Sequence, residues 1–71
     1  MTWNEVHTLY DPGSKSWVNK LDGRVIDSPH VAEGTAIAAG RRLAARNAAD
    51  HWIHSPDGGV RAVNKFEAFA R

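Results

Sequence analysis

Residues 30–50 read HVAEGTAIAAGRRLAARNAAD, the one long run of strong helix formers in the chain. The run predicts a single helix. Ser28 and Pro29 are its expected N-cap and first helical residue, because a proline at that position gives up an N–H that has no partner within the helix. His30, a poorer cap, with Glu33 three residues on is the alternative entry. Glu33 falls in the first turn, where a carboxylate suits the positive end of the helix dipole. At helical spacing Ala36, Ile37, Gly40, Leu43, Ala44 and Asn47 or Ala48 form one stripe of mostly small side chains. A stripe of that kind lets a helix backbone lie close to a flat partner, here expected to be a β-sheet. Arg41, Arg42 and Arg46 fall largely off it.

The flanking segments supply the sheet. Residues 3–10, WNEVHTLY, are rich in aromatic and β-branched residues and predict a first strand. The Asp11-Pro12-Gly13-Ser14 turn leads to a second strand over 15–21, with Trp17, Asn19 and Leu21 on one side. Asp22-Gly23 is a strong hairpin signal of type I′ and leads into a third strand over 24–27. Beyond the helix, residues 51–54 (HWIH) and 60–66 flank the Ser55-Pro56-Asp57-Gly58-Gly59 turn as a second hairpin. The expected fold is α+β: an antiparallel sheet of four or five strands with one helix on one face, in the order β-β-β-α-β-β. A single domain over 1–71 is expected, with 67–71 as a loose or docked tail carrying Phe69.

Seventy-one residues bound the core. A chain this short buries only about 60% of the surface its unfolded form exposes, which favours oligomerisation as a source of stability. The absence of cysteine excludes disulfides, thiolate metal sites and cysteine catalysis. Neither a signal peptide nor a membrane span is expected, and a cytoplasmic location is. Net charge is +1, unevenly placed: residues 1–34 hold five acids and three bases, and 35–71 hold six bases and three acids.

Trp17, the helix residues from Thr35-Ala36-Ile37 through Arg42-Leu43-Ala44, and the run from Ile53 to Val60 (IHSPDGGV) resemble a family of short bacterial proteins and domains of unknown function. The resemblance covers residues 4–66. It implies a small sheet with one helix and a bacterial or phage origin, and it carries over no catalytic residue. The family pattern has an aliphatic residue two after the tryptophan and Glu-Ala at the helix start; this chain has Asn19 and Thr35-Ala36 there.

Chemistry is sparse. The serines lie in or near turns and caps, and the glycines of the turns form hairpins rather than a phosphate loop entering a helix. No enzymatic activity, cofactor or metal is expected. His51 and His54 are three apart, so a strand points them to opposite faces, and His7 meets His54 only if their strands pair. His54 is expected to hydrogen-bond within the Ser55–Gly59 turn. Three tryptophans exceed what one small core needs, so Trp3, Trp17 and Trp52 are the candidate contacts for a protein partner, a second copy included. The alternative is a nucleic-acid binder using Arg41, Arg42, Arg46, Arg61 and Lys65.

Overall fold

A computed structural model describes residues 4–66. In chain order they form β1 (Glu5–Asp11), β2 (Ser16–Leu21), β3 (Arg24–His30), α1 (Glu33–Arg46), β4 (Asp50–His54) and β5 (Val60–Asn64). The five strands make one sheet in the order β3-β2-β1-β4-β5, and α1 packs on β1 to β4. The expected α+β class and element order hold. Trp3 and the 67–71 tail lie outside the described residues.

The sheet is mixed rather than purely antiparallel, because β4 runs parallel to β1, from Glu5 opposite Asp50 to Thr8 opposite Ile53. The helix is the cause. Two antiparallel pairings, β1 with β2 and β2 with β3, leave β3 running parallel to β1. The 14 residues of α1 span about 21 Å, close to the length of a seven-residue strand. They return the chain to the end of the sheet where β3 began, so the next strand starts in the direction of β1. A tight hairpin would have reversed it.

The helix entry also differs from expectation. Ser28 and Pro29 belong to β3, and the N-cap is Ala32, in extended conformation with no side-chain cap bond. β3 is an edge strand, where a proline interrupts no ladder that continues outward. The His30 ring, 2.6 Å from an Asp27 carboxylate oxygen, ties the strand end down, and the Thr35 hydroxyl donates to the Ala32 carbonyl at 2.9 Å.

At its other end the helix closes as a Schellman motif. Ala49 N–H donates to the Ala44 carbonyl at 2.8 Å and Ala48 N–H to the Ala45 carbonyl at 3.4 Å, with Ala48 held at φ +52°. Ala44 and Ala49 are both buried and form a small apolar cluster with Val6, against which Leu21 and Leu43 pack. The Asp22-Gly23 hairpin forms as expected, both residues at positive φ.

Candidate functional site

The strand registers sort the side chains into two faces. On the helix side one row crosses all five strands as Asp27, Asn19, Thr8, Ile53 and Ala62. Its centre is polar, although it is buried. The Thr8 hydroxyl donates to Asn19 Oδ1 at 2.5 Å, and Asn19 Nδ2 donates to Asp27 Oδ2 at 3.0 Å and to the Ala36 carbonyl at 3.1 Å. With its proton committed to Asn19, the Thr8 oxygen accepts from His51 Nε2 at 2.8 Å. His51 therefore carries its proton on Nε2, and its Nδ1 has no partner among the described residues. Burial, then the charges of Arg41 and His7, hold the His51 pKa below 6.5. The hydrogen bond from His30, reinforced by Asn19 against the opposing effect of burial, holds the Asp27 carboxyl below its usual value.

The departure from the family pattern at Asn19 is thus the hub of this network. α1 lies directly on the cluster, with Gly40 at the contact. Thr8, Asn19 and His51 escaped the sequence reading because they are three strands' contributions to one spot. Only the two-residue alternation of β1 and β2 hinted that polar groups would face the helix.

Among the described residues no helix lies on the opposite face. Its central row, again across all five strands, is Val25, Lys20, His7, Trp52 and Val63. Leu9 and Val18 lie opposite each other in the next row. Trp52 is half-buried, with its ring 5.3 Å from that of His7 and 18° from parallel, and its indole N–H has no partner among the described residues. His7 and His54 do meet, because β1 and β4 pair: Nδ1 of His7 lies 2.8 Å from Nε2 of His54. His7 Nε2 lies 3.0 Å from Glu5 Oε1. His54 thus turns away from the Ser55–Gly59 turn, which closes on itself through Ser55 and Asp57. A hollow of about 260 Å³ beside the pair is lined by His7, Leu9, Lys20, Gly23 and His54.

The other candidates scatter. Trp17 is only 6% exposed, on the helix-side face, edge-on to Tyr10, and so belongs to the core. Arg41, Arg42 and Arg46 are exposed on α1. Arg61 is paired with Glu33 at the helix start, and Lys65 lies 3.6 Å from Asp50. Arg41 and Lys65 do border one hollow of about 320 Å³, with Ala44, Ala49, His51 and Asn64. Among the described residues no group of three or more His, Cys, Asp or Glu side chains is arranged to hold a metal ion, and no helix is long and apolar enough to cross a membrane.

A family model described as an uncharacterized protein conserved in bacteria (DUF2188) matches residues 6–66. No curated protein and no solved structure matches the chain.

Proposed function

Because the chain belongs to this uncharacterized bacterial family, which brings no activity with it, we propose from the geometry that it is a non-enzymatic interaction module. Its partner is protein, a second copy first, and the contact is the sheet face that α1 leaves open. The observation that carries the reading is the row of Val25, Lys20, His7, Trp52 and Val63 on that face, apolar or aromatic on every strand but β2. A mixed sheet that puts apolar and aromatic groups on both faces, with a helix among the described residues on only one, calls for a cover on the other. Val25 and Val60, 48% and 54% exposed, extend the apolar surface to both edges. The same reading assigns the protein to the cytoplasm, where a chain without cysteine loses nothing to the reducing conditions.

Nucleic-acid binding is the second reading, favoured by the three exposed arginines of α1. It ranks lower because Arg61 and Lys65 already face carboxylates. Light scattering on the purified protein, alongside anisotropy of labelled DNA and RNA at two salt concentrations, separates them. A mass above one chain that falls in Trp52→Ala supports the protein interface. A single-chain mass, with nucleic-acid binding that weakens steeply with salt and is lost in Arg41→Glu/Arg42→Glu, overturns it.

A further inference from the structure

We propose that His7 and His54 form half of a transition-metal site, and that a second copy of the chain, facing the first across the open sheet face, completes it. The proposal rests on the self-association reading above and names its chemistry.

Three observations meet at the pair. The ring centres are 5.0 Å apart and the facing nitrogens 2.8 Å, so nearly all the remaining distance is taken up by the two ring radii. The nitrogens therefore aim at each other along the line of centres, the rings meeting edge to edge. The second observation is Glu5. A carboxylate only accepts, so its contact with His7 Nε2 draws the His7 proton to that nitrogen and leaves the Nδ1 lone pair facing His54. A carboxylate that orients a histidine through its far nitrogen is the usual outer support of a metal-ligating imidazole. Third, both histidines line the open hollow of about 260 Å³, so an ion displaced from the line between them has room for further ligands.

Without metal, His54 Nε2 donates its proton to His7 Nδ1. When an ion takes the place of that hydrogen bond, the one proton of the neutral His54 ring moves through solvent from Nε2 to Nδ1, and the nitrogens separate to about 3.3 Å, as two imidazoles at about 2.0–2.1 Å from a tetrahedral ion require. Imidazole nitrogens suit zinc, copper and nickel. A single chain offers only two such ligands, short of what a tetrahedral ion takes. A two-fold contact brings the same patch onto itself, so two chains supply four nitrogens and two Glu5 carboxylates.

The test is titration of the purified chain with Zn²⁺, and with Co²⁺ as a spectroscopic probe, with light-scattering mass measured before and after a chelator. The expected result is one ion per two chains, an intense tetrahedral cobalt spectrum, and a doubled mass that the chelator reverses. His54→Gln abolishes all three, His30→Gln at the sheet edge leaves them, and Glu5→Gln weakens binding about 10- to 100-fold. A cobalt spectrum unchanged in His54→Gln, or no binding by the wild-type chain, overturns the site. A dimer indifferent to metal and chelator overturns it while leaving self-association standing. A weakly absorbing ion held one per chain, by a species whose mass stays that of a single chain, overturns the shared site and self-association together.

Discussion

Gly40 on α1 rests so close above Thr8 on β1 that a methyl group on its Cα would come within 2.5 Å of the Thr8 hydroxyl. The same methyl would meet Asn19 Oδ1 at 2.5 Å and His51 Nε2 at 2.6 Å. One missing side chain therefore sets the height of the helix above the sheet and places it on a hydrogen-bonded polar cluster.

Gly40→Ala is expected to destabilise the fold. Its obstacles are buried atoms locked in hydrogen bonds, and the cost of displacing them, about 1–3 kcal/mol for overpacking, outweighs the gain of about 1 kcal/mol in helix propensity. Gly34→Ala, in the first turn of the same helix with nothing within 4 Å of the added group, gains stability instead. Urea midpoints of the two variants should move in opposite directions.

Asn19 is fully buried and serves three partners: Thr8, Asp27 and the Ala36 carbonyl. Asn19→Ala takes one hydrogen bond from each, leaving Thr8 with His51 and Asp27 with His30, and is expected to cost about 2–3 kcal/mol. Thr8→Val removes a partner of the same network, so the double variant should lose less than the two single losses combined. Additive losses would show that the two side chains act independently.

Acid should weaken the fold through two groups whose pKa values are both lowered in the folded state. Unfolded His51 takes up a proton near pH 6.5 while the folded ring, its pKa lowered by burial, resists. Its stabilising contribution is therefore complete above that pH and is lost as pH falls through the folded value. Asp27, held below the usual carboxylate range by the His30 hydrogen bond, adds a further loss at lower pH, as its carboxyl is protonated. Urea midpoints should decline from pH 7 to pH 5, and His51→Gln should flatten that decline even if its midpoint at pH 7 is lower.

Ala48 occupies the left-handed position of the Schellman motif at φ +52°, where an L side chain crowds the carbonyl. Ala48→Gly should relieve this and stabilise the fold by about 1 kcal/mol. A thermal midpoint lower than wild type would show that the added backbone freedom of the unfolded glycine chain outweighs the relief.

Much of the architecture was legible because it is local. The Asp-Gly hairpin, the Ala/Gly stripe of α1 and the opposite facing of His51 and His54 each follow from a few adjacent residues with a fixed period or turn chemistry. The helix entry misled because Ser28-Pro29 satisfies a cap rule and an edge-strand rule equally well, and the pairing of β3 with β2 decided between them. Of the candidate contacts, Trp52 reaches the open face and Trp17 the core, though both sit on strands with apolar neighbours.

The chain by itself determined which segments are strand and which is helix, and that the helix must lie low on its sheet, since period, propensity and side-chain size are properties of short stretches. Tertiary structure alone decided that β4 runs parallel to β1, that Thr8, Asn19 and His51 share one buried cluster, and that His7 meets His54. Each of these joins residues more than ten positions apart, and their meeting depends on strand order and register. Those are set by where a 14-residue helix returns the chain and by which face it covers, and no local pattern encodes either.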